Sequence, residues 1–343
     1  MRRWLLRTLL ALALAVAAYR VAGQLGGALR SIATADAGRL AIAAAFEVVS
    51  YLFIGSVLRR LARDRGRDVS LAHAFRVGLV AVGLGNILPA APVEGMVMGA
   101  RALKDRGIPQ RRTFVAVALV QWYCGRALLA VAALTTIGVA VFAGDRASPF
   151  HHTWPALLGA GAVLALVFVV TGAIASRARL HEKIGSLVRR VPLRRAQRDH
   201  AARWCKAWSA EMRAAIGSRR DRALLIVLAC SASIAEASCF VFALRAAGVS
   251  AQPALLFFAY AVGMLGVFVP LLPAGLGFVE TAVPALLHEA HVPVAAALAG
   301  VLVYRALATL LPAFIGAGAL GHSRLFPLRR RRRPDVALTG PDG

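Results

Sequence analysis

Charged residues, and acidic ones above all, are scarce in this sequence. Only 17% of the 343 residues are charged, against about a quarter in a typical soluble domain, and there are 16 Asp and Glu against 41 Lys and Arg. The four cysteines show no CxxC or metal-ligand spacing, and no Ser/His/Asp or Cys/His set can be assigned. An average soluble domain and a disulfide framework are therefore excluded. We expect no enzyme activity, no cofactor and no metal site.

Long apolar runs are what the sequence has instead, since 59% of its residues are hydrophobic. Eight runs approach or exceed the roughly 20 residues that cross a ~30 Å hydrocarbon core: 4–23, 40–58, 75–100, 113–143, 153–175, 222–246, 254–288 and 294–321. The first suits an uncleaved helix better than a signal peptide, because Arg7 interrupts it. The sequence predicts an all-α, polytopic membrane helical bundle of about eight hydrophobic segments. It forms a single transmembrane domain, residues 1–322, followed by a basic, disordered cytoplasmic tail, residues 323–343.

The net charge of +25 first suggests nucleic acid, but the placement of the basic residues argues against that partner. They fall between or beyond the apolar runs, at the N-terminus and in 58–76, 101–112, 176–222 and 329–333. The intervening segments 24–37, 144–152 and 247–253 hold only Arg30 and Arg146. The positive-inside rule then predicts a multi-pass protein of the cell membrane with both termini cytoplasmic. The expected partners are membrane lipids, with the basic segments facing an anionic leaflet.

Two apolar runs are interrupted by proline and glycine. Run 75–100 has basic flanks at both ends, which predicts a re-entrant hairpin that enters from the cytoplasm and turns at Pro89 and Pro92. The run "VPLLPAGLGFVETAV" has the same form, with breaks at Pro270, Pro273, Gly275 and Gly277.

The two hairpins belong to a predicted repeat. Three landmarks recur in the same order, at offsets of 189, 186 and 179 residues: Glu47, Glu94 and Arg126 in the first half, and Glu236, Glu280 and Arg305 in the second. The crossing order makes repeat one, about 39–143, and repeat two, about 222–321, inverted about a pseudo-two-fold axis in the membrane plane, as in many transporters. The alternative is chance similarity between Ala/Leu-rich helices.

Residues 176–221 separate the repeats and carry thirteen Arg and Lys against four Asp and Glu. Trp204, Trp208 and Met212 follow one another at i+4, which predicts a basic, amphipathic cytoplasmic linker lying on an anionic leaflet. A linker helix packed on the protein is the alternative.

A charge at the bilayer centre costs at least about 2.5–3.5 kcal/mol, so each one implies a partner or a polar cavity. The four Glu and two Arg of the repeats cannot neutralise one another, so some Glu hold a proton or a ligand completes the site. Arg126 and Arg305 suit a lipid phosphate, with Glu94 and Glu280 as counter-charges. Alternatively, each Arg pairs with a Glu and holds helices together. His288 and His291 could bind one metal ion together with Glu280, but their position at the end of an apolar segment favours interfacial residues.

The stretch "PLLPAGLGFVETAVPALLHEAHVPVAAALAGVLVYRALATLLPAFIGAGAL" resembles the closing segment of the lysylphosphatidylglycerol synthase transmembrane-region family, also called flippase-like domain proteins. "GLGNILPAAPVEG" looks like that family's first-half motif, and the resemblance covers residues 10–322. It marks Pro273, Gly275, Gly277, Glu280 and Arg305, and also Asn86, Pro89, Glu94 and Arg126. Ala274 and Val279 depart from the family pattern. The family's synthases carry a large soluble domain after the membrane part, and the short tail here does not imply synthase activity.

The function expected from these features is a flippase-like lipid translocator that moves a phospholipid or polyprenyl-linked headgroup through a polar midplane site. Its candidate substrate-binding residues are Arg305, Glu280, Arg126, Glu94, Glu47, Glu236 and Asn86. The alternatives are an accessory membrane subunit that docks a glycosyl or lipid transferase through 176–221 and, third, a membrane-embedded transferase. A homo-oligomer and a transferase partner are both compatible with the sequence.

Overall fold

The computed structural model describes residues 27–63, 69–84, 97, 99–100, 108, 110–143, 159, 162–163, 165–167, 169–170, 210–212, 214–265, 277–316 and 318. All regular structure in these residues is helical. Seven helices are named here: α1 (Ala37–Ala62), α2 (Leu71–Gly78), α3 (Gln110–Ala143), α4 (Arg219–Ala246), α5 (Pro253–Leu265), α6 (Val279–Glu289) and α7 (Val294–Arg305). A π-helical stretch, Leu79–Leu84, follows α2, and another, Ala306–Leu310, follows α7.

Four of the described segments are long and apolar enough to cross a membrane: Ala37–Ala62, Arg112–Val141, Arg219–Ala246 and Val294–Gly316. The chain is therefore an all-helical, multi-pass membrane protein, as its apolar runs predict. Run 4–23, most of 153–175 and both predicted hairpin turns, apart from Gly277, lie outside the described residues. The count of about eight segments and the hairpins stay predictions.

Polar caps determine where the first helix of each predicted repeat begins. The Asp36 carboxylate accepts a hydrogen bond from the Arg39 backbone N–H at 2.9 Å and so caps α1. Ser218 and Asp221 form a reciprocal capping box at the start of α4. Each helix begins a few residues before its apolar run, because the cap rather than the hydrophobic stretch sets the first turn.

Helices α1 and α4 pack against each other in antiparallel orientation. At one end the Asp36 N–H donates to the Ala246 carbonyl at 3.0 Å, and at the other Arg60 Nη1 lies 3.3 Å from Asp221 Oδ1. Glu47 and Glu236 lie well inside this pairing, within each other's electrostatic reach. An inverted repeat requires this orientation of its two first helices.

Two apolar cores flank the α1/α4 pair. The first joins the C-terminal half of α1 to α2, α3 and the start of α4, through residues such as Leu58, Val115 and Leu225. The second joins the C-terminal half of α4 to α5, α6 and α7, and takes in Ala43 near the start of α1. The first core thus contains residues from the N-terminal part of α4, and the second core contains Ala43 from the N-terminal part of α1. The predicted inverted repeat is consistent with this arrangement and stays a prediction.

Glycines allow helices to approach closely at two points. A Cβ added at Gly300 of α7 would lie 2.6 Å from Leu244 Cα in α4, and one at Gly55 of α1 would lie 3.0 Å from the Phe75 backbone nitrogen. Small residues of this kind bring backbones together in membrane bundles.

The end of the basic linker packs on the helix bundle. Met212 and Ile216 lie against the first core, and Ala215 belongs to it. Arg112 Nη1 pairs with Glu211 Oε1 at 3.4 Å and its Nη2 donates to the Arg63 carbonyl at 2.7 Å. Trp204 and Trp208 lie outside the described residues, so the contact of that helix with a leaflet stays a prediction.

Candidate functional site

Arg305 is the best-defined charged residue in the membrane region. It lies near the middle of the span Val294–Gly316, is 7% exposed, and ends α7 where the π-helical stretch Ala306–Leu310 begins. Wider π-helical turns are often found at functional sites. This stretch contacts Leu79–Leu84 of the first repeat. Arg305 therefore lies where the two halves meet.

The Arg305 guanidinium forms an ion pair with Glu280. Its Nε lies 3.1 Å from Glu280 Oε1, and the two side chains are only 8% and 12% exposed. Removing one partner of a buried pair leaves an uncompensated charge, which costs about 3–5 kcal/mol. The pair joins α6 to α7, as one of the two sequence interpretations proposed.

The second oxygen of Glu280 is held by the chain turn that leads into α6. Oε2 accepts from the Gly277 N–H at 2.8 Å, and the Gly277 carbonyl accepts from Thr281 Oγ1 at 2.6 Å. Gly277 has φ 84°, a left-handed conformation that favours glycine. A carboxylate in the first turn is also favoured by the helix dipole. The turn therefore orients Glu280, and Glu280 orients Arg305.

One donor of Arg305 is left over. Its Nη2 is buried and has no hydrogen-bond partner among the described residues. Leaving a charged donor unsatisfied is costly, so this nitrogen is an available contact for an anionic oxygen.

Glu236 of α4 lies next to this pair and is held by tyrosines. Tyr304 donates its hydroxyl hydrogen to Glu236 Oε1 at 3.0 Å, and the Tyr260 hydroxyl lies close to this carboxyl. Phe240, Tyr260 and Tyr304 pack with ring centroids 5.2–6.3 Å apart. Arg305 acts electrostatically on Glu236. The aromatic cluster thus fixes Glu236 beside the guanidinium.

Glu47 of α1 extends the cluster across the α1/α4 contact. It is 6% exposed, and the Cys239 thiol lies within hydrogen-bonding reach of its carboxyl. Its Oε2 is buried without a hydrogen-bond partner in the part of the chain that the structure describes. Glu280, Arg305, Glu236 and Glu47 therefore form a polar series, in which Glu280 contacts Arg305 directly and Glu236 and Glu47 lie within electrostatic reach of their neighbours.

Arg126, the predicted counterpart of Arg305, has different surroundings. It lies in the middle of the span Arg112–Val141, with its guanidinium carbon 6.0 Å from the centroid of the Trp122 ring. Its charge acts on Tyr123 and on Cys230 of α4, which places it on the side of α3 that faces α4. Its predicted partner Glu94 lies outside the described residues.

The sequence matches one known protein family over nearly its whole length. The model of the family described as "Lysylphosphatidylglycerol synthase TM region" matches residues 4–316. The chain belongs to this family. The match spans both halves and includes the whole polar series, so the resemblance inferred from the two motifs is confirmed. No curated protein matches the sequence.

Of the family motif residues marked in the sequence, the structure brings Gly277, Glu280 and Arg305 into one hydrogen-bonded unit. Arg126 lies apart from this unit, in α3. The remaining marked residues, together with two further predicted turn positions, lie outside the described residues: Asn86, Pro89, Pro92, Glu94, Pro270, Pro273 and Gly275. Their roles stay predictions.

Sequence reasoning missed Tyr260, Tyr304 and Cys239. The signal for the tyrosines is a phenolic hydroxyl inside an apolar run, which needs a partner when it is buried. Tyr304 also directly precedes Arg305 in the sequence.

Proposed function

We propose that this protein is a lipid translocator of the cell membrane that moves a phospholipid or polyprenyl-linked headgroup between leaflets without covalent chemistry. The headgroup passes along the polar series Glu280, Arg305, Glu236 and Glu47, while the acyl or prenyl tails stay in the hydrocarbon. Both termini face the cytoplasm in this proposal.

The proposal rests on the hydrogen-bond partners of the Arg305 guanidinium. A guanidinium in the middle of a membrane span keeps one nitrogen paired with Glu280 and another, Nη2, buried without a partner among the described residues. Arginine offers phosphate a planar, charge-assisted contact. A passing lipid phosphate could satisfy Nη2 without breaking the Nε bond to Glu280.

The surroundings of Arg305 support passage rather than permanent binding. Glu280 and Glu236 both act electrostatically on the same guanidinium, so a phosphate at Nη2 is repelled by two nearby carboxylates. Such repulsion weakens binding, and a transport site has to release its ligand as readily as it captures it. The contact of the two π-helical stretches at this level supplies a place where the halves could move apart.

Reconstitution tests the proposal directly. The full chain is placed in vesicles that contain a trace of fluorescent phosphatidylglycerol, phosphatidylcholine or polyprenyl phosphate, and an impermeant reductant is added outside. In protein-free vesicles only the outer leaflet is bleached. The proposal predicts nearly complete bleaching with the protein for at least one lipid that bears a phosphate. Bleaching that stops at the outer leaflet for every lipid in the panel would contradict it.

A further inference from the structure

Glu47 and Glu236 occupy equivalent places in the two repeats but have unequal surroundings. Glu236 accepts a hydrogen bond from Tyr304, and the Tyr260 hydroxyl lies close to the same carboxyl. Glu47 is 6% exposed, yet its Oε2 finds no such partner in the described ranges. A buried carboxylate oxygen with no donor is the costliest arrangement for an ionised group.

The sequence explains this asymmetry. The offset that aligns Arg126 with Arg305 places Gly125 where the second repeat has Tyr304. Glycine has no hydroxyl to donate to Glu47, whereas Tyr304 donates to Glu236. The Cys239 thiol lies beside Glu47, but a thiol is only a weak donor.

Among the described residues, the groups that act on Glu47 or respond to its charge carry no positive charge. They come from four helices, and all of them are acids: Tyr51 on α1, Glu236 and Cys239 on α4, Tyr260 on α5 and Tyr304 on α7. On α3, Cys124 responds to Glu236, and Arg126 acts on Tyr123 and Cys230. On α7, Arg305 is shared between Glu280 and Glu236. Two adjacent carboxylates in such a site share a proton rather than ionise together.

We propose that Glu47 and Glu236 form a proton-binding site, with the proton on Glu47 in the resting protein, and that this proton exchanges with solvent as a headgroup passes. The proton comes from bulk water and returns to it, and no other bond is made or broken. The link to headgroup passage rests on the proposed function, whereas the proton site itself does not.

Infrared spectroscopy of the full chain in lipid nanodiscs at neutral pH tests the proton site. Glu47→Gln replaces a neutral acid with a neutral amide of the same shape. The wild-type-minus-variant spectrum should therefore show the loss of a carboxylic-acid C=O band that shifts in heavy water. The matched control is Glu280→Gln, which should instead remove carboxylate bands, because Glu280 is paired with Arg305. Loss of carboxylate bands in Glu47→Gln would overturn the proposal.

The pH dependence of lipid transfer tests the link to passage. The wild-type rate should change with pH, and the rate of Glu47→Gln should not, because the variant mimics one protonation state permanently. A pH profile of Glu47→Gln that matches wild type would overturn the coupling. If the wild type transfers no lipid at any pH, the proposed function fails and the infrared result alone still decides the proton site.

Discussion

At the scale of residues, the site depends on which buried carboxylates have a hydrogen-bond or ion-pair partner. Glu280 has both oxygens occupied, by Arg305 and by the Gly277 N–H. Glu236 accepts a hydrogen bond from Tyr304, and Glu47 has the weakly donating Cys239 thiol beside it. Each of these bonds lies between apolar cores, where an unsatisfied partner is expensive.

The bond between Tyr304 and Glu236 gives a test at this scale. Tyr304→Phe leaves the ring packed against Phe240 but removes the 3.0 Å hydrogen bond. We expect the free energy of unfolding in detergent to fall by about 1–3 kcal/mol, because a buried acceptor loses its donor. Glu236→Gln is the control, since its amide oxygen still accepts from Tyr304, and its loss should be smaller. Wild-type stability in Tyr304→Phe would show that this bond contributes nothing.

Charged site residues are easy to predict from sequence, and their partners are not. A Glu or Arg stands out in an apolar run, so Glu47, Glu236, Glu280 and Arg305 could all be named. The sequence could not show whether Arg305 pairs with a phosphate or with Glu280. That depends on the distance between α6 and α7. Tyr304 was missed because tyrosine resembles an apolar residue in hydropathy.

At the scale of elements, helices are positioned by their smallest residues. In α7, Gly300 lies against the backbone of Leu244, and no side chain fits between them. This contact sets the distance between α7, which carries Arg305, and α4, which carries Glu236.

A pair of glycine substitutions tests this close approach. Gly300→Ala places its Cβ 2.6 Å from Leu244 Cα, so a backbone must shift, and we expect a loss of about 1–3 kcal/mol in stability. Gly138→Ala in α3 meets no atom within 4 Å and should be neutral or stabilising by up to about 1 kcal/mol. Thermal unfolding in detergent compares the two. Equal midpoints would mean that α7 and α4 are not in tight contact.

Long helices could be predicted closely from the sequence. Run 40–58 became α1, which is a few residues longer at both ends, and run 222–246 became α4, which is a few residues longer at its N-terminal end. The π-helical stretches could not be predicted, since their hydrogen-bond pattern leaves no mark in an apolar sequence. The predicted breaks at Pro89 and Pro273 lie outside the described residues, and the hairpins stay predictions.

At the scale of the whole molecule, antiparallel α1 and α4 make two similar halves into one bundle. The ends that carry Arg60 and Asp221 meet, as do those that carry Asp36 and Ala246. With the positive-inside rule, the Arg60 end is predicted to be cytoplasmic.

Thiol labelling tests this inverted arrangement. Single cysteines are placed at Arg39, Arg60 and Arg220 in a chain whose four native cysteines are replaced; Arg39 and Arg60 side chains are 51% and 40% exposed. An impermeant reagent added to intact cells should label position 39 alone, and inside-out vesicles should expose 60 and 220. The helices α1 and α4 begin on opposite sides in this arrangement. Labelling of 39 and 220 from the same side would contradict it.

The central claim is that a lipid phosphate passes Arg305, and one comparison tests it most directly. Lipid transfer is measured in vesicles with equal amounts of monodisperse wild type, Arg305→Lys, Arg305→Ala and the exposed control Arg220→Ala. A charge-assisted contact contributes about 1.5–3 kcal/mol, so Arg305→Ala should be slower by roughly tenfold or more. Arg305→Lys, which keeps the charge but not the planar donors, should fall in between, and Arg220→Ala should match wild type. Equal rates for Arg305→Ala and Arg220→Ala would contradict the account.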